Sequence, residues 1–332
     1  MGITDSPESL ENYFRAVEQE YGDRAGTVHR RIRITPDIDS FVEVRFPERE
    51  WGLVVSAGHH QHDRHLVLTG GLTCQIRGGD IRVIGAPQTD RGLFCALLVD
   101  LIAQLVSRAG ETETILVSRI NAWRRMLGRG FDNGLSPEAR MGLHGELLVL
   151  RDLLLPVLGS RSVAAWTGPS GGTKDFTHRG TAIEVKSVSV REPHQCRVNN
   201  EYQLDSAGLD QVLLVHQVIG DSSDGESLND VVDALRSNPR LLPVLAELDD
   251  RLLETGWLDS QRQQYAEDRR ALIRRRCYHV GEGFPRMVPD DLAPGVSGVS
   301  YVVDLAACRS HLIKEGLLRS AVSGSPLPPK EQ

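Results

Sequence analysis

The chain carries no glycine-rich phosphate loop, so any ATP-driven step would need a partner protein. It has no C-x-x-C pair. Its five cysteines, Cys74, Cys95, Cys196, Cys277 and Cys308, are odd in number and widely spaced. That pattern excludes a disulfide scaffold and reads as reduced, buried thiols in a cytoplasmic protein. The most apolar run, Leu93 to Val106, is too short for a bilayer and is interrupted by Asp100 and Gln104; it is expected as a buried helix, with no membrane partner. The N-terminus is acidic and polar rather than a signal peptide. Basic residues are outnumbered 38 to 45, for a net charge of −7, and aromatics make up only 5%. A nonspecific polycation is therefore excluded, and any nucleic-acid surface must be local. No internal repeat is visible. What is present is an ordinary globular composition, 40% hydrophobic and 25% charged over 332 residues, enough for one large or two ordinary domains.

Residues 1–130 read as a first, β-rich α+β domain. A helix is expected over Leu10 to Tyr21. Strands follow at Phe41–Phe46, Leu53–Ser56, His65–Thr69, Cys74–Arg77 and Ile81–Ile84, each bounded by Gly or Pro. The buried helix comes next, then another from Thr114 to Leu127 with Gly128 just past its end. His59, His60, His62, Asp63 and His65 form a cluster whose residue types suit zinc. Their spacing matches no closed four-ligand site, and a polar loop between strands explains them as well.

Residues 131–322 read as a second domain, entered through Asn133-Gly134 and followed by a disordered Pro/Ser/Lys tail at 323–332. Ser136-Pro137-Glu138 has the order of a helix start: capping Ser, Pro at the first position, acid in the first turn. Leu143, Leu147, Leu150 and Leu154 then mark one stripe. Glu146 falls within or beside that apolar arc, where a carboxylate needs a cation or an ordered water. Gln211 to Ile219 reads as a buried central strand, Ser227-x-x-Asp230 opens a helix, and Asn238-Pro239 opens another ending near Gly256. Arg269, Arg270, Arg274, Arg275 and Arg276 fit two readings, a phosphate-backbone contact or a solvated helix face balanced by Glu267 and Asp268. Cys277–Val280 and Ser297–Asp304 read as terminal strands.

The stretch from Thr173 to Val190 organises the rest. Its sequence predicts two short strands joined by a tight turn at Arg179-Gly180, where Gly supplies a positive φ. His178 then pairs with Thr181, and counting outward sets Asp175 opposite Glu184, with Lys186 on the Glu184 face. Two carboxylates facing each other across a hairpin repel. A divalent cation between them reverses that sign, and carboxylate oxygens suit Mg²⁺ or Mn²⁺. A Lys beside the ion can orient water or stabilise charge on a phosphate. An ordinary hairpin with a solvated charged face fits the same letters.

The flanking residues narrow the choice. G-L-H-G-E-L-L-V-L at Gly142–Leu150, W-T-G-P at Trp166–Pro169, D-F at Asp175, I-E-V-K at Ile183–Lys186, Q-L at Gln203, F-P-R at Phe284 and V-S-Y-V-V-D-L at Val299 occur in one order. Together they resemble an uncharacterised bacterial family assigned to the PD-(D/E)XK nuclease superfamily and found in phage-defence and restriction gene clusters. The resemblance implies a restriction-endonuclease-like α/β core, Mg²⁺- or Mn²⁺-dependent hydrolysis of DNA, and metal ligands at Asp175 and Glu184. It implies Lys186 as the water-positioning residue and Glu146 as the helical carboxylate that reaches the catalytic sheet and joins the metal site, holding a metal-bound water or a second ion. In related folds a helix lies over that sheet, here at Val198 to Leu209, and Gln203 on it could touch the metal water or a phosphate, or serve as a cap. A companion ATPase and a DNA methyltransferase are the implied partners, and a homodimer is allowed. The alternative function is a non-catalytic DNA-binding or scaffold subunit of a defence complex.

Overall fold

A computed structural model describes residues 4, 6–22, 24–58, 63–128, 134–191, 194–325 and 327. The protein is mixed α/β, with its strands in separate sheets. It divides into two compact units: Met1–Gly134 with Gly256–Gln261, and Leu135–Thr255 with Arg262–Gln332. No composition shift marks the short return at 256–261. Among the described residues, no helix is long and apolar enough to cross a membrane.

In the first unit, the Ser6 side chain caps α1 (Pro7–Tyr21) by accepting from Ser9 N. Strands β1 (Gly26–Thr35), β2 (Ile38–Phe46), β3 (Glu50–Ser56), β4 (Arg64–Val67), β5 (Leu72–Arg77) and β6 (Asp80–Gly85) form one antiparallel sheet in the order β1-β2-β3-β6-β5-β4. Helices α2 (Arg91–Ser107) and α3 (Thr112–Leu127) follow. Phe14 of α1 stacks on Trp51 of β3 at 4.5 Å. Asp100, the charge that interrupts the apolar run, accepts from Arg119 Nε and Trp123 Nε1, both at 2.7 Å. A charge buried with such donors does not break a core helix. The strand absent from the sequence reading is β1. It is the sheet edge, and its T-V-H-R-R-I-R-I alternation buries only Ile32, so charge masks its period. His59, His60 and His62 lie outside the described residues, as do 326 and 328–332 of the tail.

The second unit opens with α4 (Pro137–Val149), where Ala139 N donates to the capping Ser136 Oγ at 3.1 Å. The helix runs on through a π-helical turn, Leu150–Leu154, into α5 (Leu155–Leu158), and α6 (Arg161–Ala165) follows. Then come β7 (Phe176–His178), β8 (Thr181–Val188), β9 (Gln195–Val198), β10 (Gln211–Ser227), α7 (Leu228–Arg236), α8 (Leu245–Glu254), β11 (Arg269–His279), β12 (Tyr301–Asp304), β13 (Leu312–Ile313) and α9 (Glu315–Val322). The main sheet has the order β13-β11-β10-β8-β7. Its two central strands, β8 and β10, run parallel and the other pairs antiparallel. Strands β9 and β12 form a separate ribbon. One side of the β8/β10 pair packs Ala182, Val212 and Leu214 against Cys196, Val198 and Leu204, which seals the region below the hairpin.

Three expectations are corrected. Val198 to Leu209 is not a helix: after β9 the backbone turns repeatedly. Asn200 Oδ1 accepts from Tyr202 N and Asp205 Oδ1 from Ala207 N, each at 3.0 Å, and such Asx turns compete with helical hydrogen bonds. The basic stretch is not a helix face but strand β11, paired along β10. Three of its five arginines are held by protein carboxylates: Arg269 by Asp230 at 3.1 Å, Arg270 by Asp268 at 2.7 Å and Arg275 by Asp152 at 2.8 Å. Finally, Asn238-Pro239 does not open α8, which begins only after a 3-10 turn at Leu242–Val244.

Candidate active site

The turn between β7 and β8 is built on residues with positive φ, Arg179 at 46° and Gly180 at 75°. Consecutive positive φ values match the right-handed twist of a two-residue hairpin. The register follows: His178 pairs with Thr181, Thr177 with Ala182 and Phe176 with Ile183. The ladder stops one residue short of Asp175, whose Oδ2 instead accepts from the Val185 N–H at 2.6 Å. The W-T-G-P loop holds this segment from behind. Thr167 N and Gly168 N both donate to the Asp175 carbonyl, at 2.9 and 3.0 Å, while Trp166 stacks near Phe176.

Glu184 is central on β8 and only 1% exposed. Its Oε1 lies 2.8 Å from Lys186 Nζ, and its buried Oε2 has no hydrogen-bond partner among the described residues. Lys186 Nζ also donates to Gln203 Oε1 at 2.9 Å, and that oxygen accepts from Asn199 N at 2.8 Å. Gln203 thus reaches the site from a turn rather than from a helix.

Glu146 arrives from α4. That helix meets β8 at Gly145, where a Cβ would lie 1.8 Å from Ser187 Oγ; no larger residue permits this approach. The contact is pinned by Gln217 of β10, whose Nε2 donates to the Gly145 carbonyl at 2.9 Å. One residue on, Glu146 Oε2 accepts from Trp166 Nε1 at 2.7 Å. Glu146 and Asp175 both keep some accessible surface, so the cluster opens to solvent on their side.

The electrostatics are those of carboxylates withdrawn from water and set near one another. Burial and then the Asp175 charge push Glu184 up to about 8, against the pull of Lys186. Burial pushes Asp175 up to about 6, although the Val185 N–H and the two lysines favour its charged form. Glu146 is raised well above the ordinary carboxylate range by burial and then by Asp175. Burial works against the Lys186 ammonium, but the Glu184 charge and hydrogen bond outweigh it and leave its pKa raised. Without a further cation, the cluster holds protons that ordinary carboxylates would have lost.

The structure brings together Asp175, Glu184, Lys186, Gln203 and Glu146, the five residues singled out by the sequence. Spacing alone gives no role to Trp166 or Lys174. Lys174 is buried just before Asp175 and donates to the Tyr202 carbonyl. Among the described residues, no group of three or more His, Cys, Asp or Glu converges closely enough to hold a metal by itself. An ion here would rest on two carboxylates, a backbone carbonyl and waters, which Mg²⁺ accepts. The orphaned Glu184 Oε2 and this all-oxygen donor set fit such an ion.

The family model described as "Putative PD-(D/E)XK family member, (DUF4420)" matches residues 10–306. The chain belongs to this family. In the family's terms, Asp175, Glu184 and Lys186 spell D…E-x-K, with Lys174 standing where the letters have proline. The description points to a nuclease-like function, and so to DNA as substrate and a divalent metal as the usual cofactor. No curated protein and no solved structure matches the chain.

Proposed function

We propose that this family member is a Mg²⁺- or Mn²⁺-dependent DNA endonuclease. The observation that carries the reading is the buried, unpartnered Glu184 Oε2 beside Lys186, in a cluster whose acids are pushed upward. Glu184 and Asp175 would hold the ion, with the Ile183 or Val185 carbonyl as a further oxygen. Bound there, the metal supplies Lewis acidity at the phosphate and neutralises the carboxylate repulsion. Lys186, steadied by Gln203, would orient the attacking water and offset negative charge developing on the phosphate. Glu146, fixed by Trp166, would hold a second water on the open side. The setting that the family resemblance supports is restriction of foreign DNA in the cytoplasm, beside an ATPase and a DNA methyltransferase. The five free buried cysteines agree with a reducing compartment.

A second reading has its own support. Lys186 already pairs with Glu184, and no three-ligand group converges among the described residues. Both fit a DNA-binding or scaffold subunit that has kept the fold without cutting. The deciding experiment incubates several DNA forms with wild type, Glu184→Gln and Lys186→Ala, in Mg²⁺ and in EDTA. Cleavage by wild type in Mg²⁺ alone, lost in both variants, supports the nuclease. Inert wild type under every metal and partner tried, with all three proteins binding DNA alike in EDTA, establishes the non-catalytic role.

A further inference from the structure

The chain has four lysines, Lys174, Lys186, Lys314 and Lys330, among 38 basic residues. Arginine is its default cation, yet two of the four lysines stand in the candidate site. Both are withdrawn from solvent: Lys174 is 5% exposed and the Lys186 side chain 13%. A lysine offers a compact ammonium on a flexible stem, where an arginine offers a broad planar fork. The proline of those letters could neither donate a hydrogen bond nor carry charge, so Lys174 can do what that proline could not.

Its Nζ donates to the carbonyl of Tyr202. Tyr202 immediately precedes Gln203, the residue that accepts from Lys186. The turn carrying both is weakly held by its own backbone, with Gln203 N to Asn200 O and Asp205 N to Tyr202 O each at 3.3 Å. Side chains do the rest. On the far side, Arg286 NH1 donates to the Leu204 carbonyl at 2.7 Å. Glu201 accepts from Gly298 N and Val299 N at 3.1 and 3.0 Å. On the near side the tether is Lys174, and it comes from the residue next to Asp175.

We propose that Lys174 is a positioning residue: from the Asp175 segment it tethers the Tyr202–Gln203 turn and so fixes Gln203 against Lys186. The two halves of the D…E-x-K pattern are thereby coupled through a turn that belongs to neither. The charge of Lys174 also acts on Asp175 and Glu184, so the tether brings a cation into a carboxylate-rich site. The catalytic consequence rests on the nuclease reading; the tether itself does not.

The test compares full-length wild type with Lys174→Met, Lys174→Arg and Lys174→Gln. With four lysines, selective ¹³C-lysine labelling gives few enough signals to assign each by substitution. In Lys174→Met the Lys186 signal should shift while that of Lys314 stays, and the Asn199 and Asp205 amides should lose hydrogen-exchange protection. Lys174→Arg keeps donor and charge but sets a broad fork where a compact ammonium sits, so it should restore both only in part. Lys174→Gln, one bond shorter and uncharged, should show the same losses as the methionine variant and replaces it if that variant does not fold. In the cleavage assay, kcat should fall on the order of 10–100-fold with KM unchanged, the size typical of an outer-shell partner. An unmoved Lys186 signal with protected amides, or a wild-type kcat in Lys174→Met, overturns the inference. If wild type cuts no DNA, the nuclease reading fails, and the lysine signals and amide exchange alone decide whether the tether exists.

Discussion

Carboxylates in water repel only weakly, but Glu184 and Asp175 meet at a buried place where little solvent separates their charges. Replacing Glu184 by Gln removes a unit of ligand charge and keeps the shape. Mg²⁺ affinity should fall and cleavage disappear, while the metal-free melting temperature near neutral pH should hold or rise, because an amide is buried there without taking up a proton. Calorimetric titration with Mg²⁺ and a melting curve in EDTA read both. Lys186→Ala leaves both carboxylates in place, so the ion should still bind while the rate drops on the order of 10²–10³-fold. The pH dependence has a definite sign. Glu184 titrates near 4.5 when unfolded and near 8 when folded, so between those values the folded state carries the extra proton. Metal-free stability should therefore fall as pH rises from about 4.5 to about 8. Asp175, raised to about 6, adds in the same direction. Mg²⁺ affinity should climb over the same window, since the ion displaces those protons. Flat melting temperatures in EDTA across that window would contradict the raised carboxylates.

At the scale of elements, the site depends on how closely α4 approaches β8. Gly145→Ala sets a methyl group 1.8 Å from Ser187 Oγ, and overpacking of this kind costs about 1–3 kcal/mol. Ser187→Ala should cost far less, because its buried hydroxyl has no partner among the described residues. Urea denaturation of the two variants reads the difference; equal losses would mean that the crossing is not tight. The turn between β7 and β8 was legible because its register follows from two residues. Gly180→Ala would force a side chain into φ of 75° and within 2.1 Å of Asp210 Oδ2, a strain of about 1–2 kcal/mol from the backbone alone. The segment carrying Gln203 was not legible as a turn. The helix expected there comes from related folds, and the local Asx turns at Asn200 and Asp205 divert the backbone from it.

At the scale of the molecule, Glu146, Lys174, Asp175, Glu184, Lys186 and Gln203 all lie in the unit formed by Leu135–Thr255 and Arg262–Gln332. A fragment of residues 135–332 should therefore bind Mg²⁺ with the affinity of the whole chain, as measured by titration calorimetry. Loss of binding in a fragment that keeps its helical and strand content would show that the site draws on the first unit. The basic stretch shows how far composition can mislead at this scale. Five arginines between 269 and 276 resemble a phosphate-binding surface, yet Arg269, Arg270 and Arg275 are held by the molecule's own acids. Paired charges within one fold offer less to a polyanion than the sequence count implies.

Local rules were enough for whatever is local. Ser136-Pro137 begins α4, Ser227 and Asp230 cap α7 with reciprocal bonds, and Arg179-Gly180 sets the hairpin register, because each depends on backbone geometry within a few residues. Continuous apolar runs were enough for the buried α2 and for the first half of β10, Gln211–Ile219, while its polar continuation to Ser227 carries no such signal. Only tertiary structure decided that Glu146, Trp166 and Gln203 meet the hairpin, that β8 and β10 lie parallel, and that β1 completes the first sheet. The physical reason is range. A hydrogen bond between Trp166 and Glu146, or between Lys174 and the Tyr202 carbonyl, joins residues whose spacing in the chain carries no period, and it exists only after the loops between them have closed.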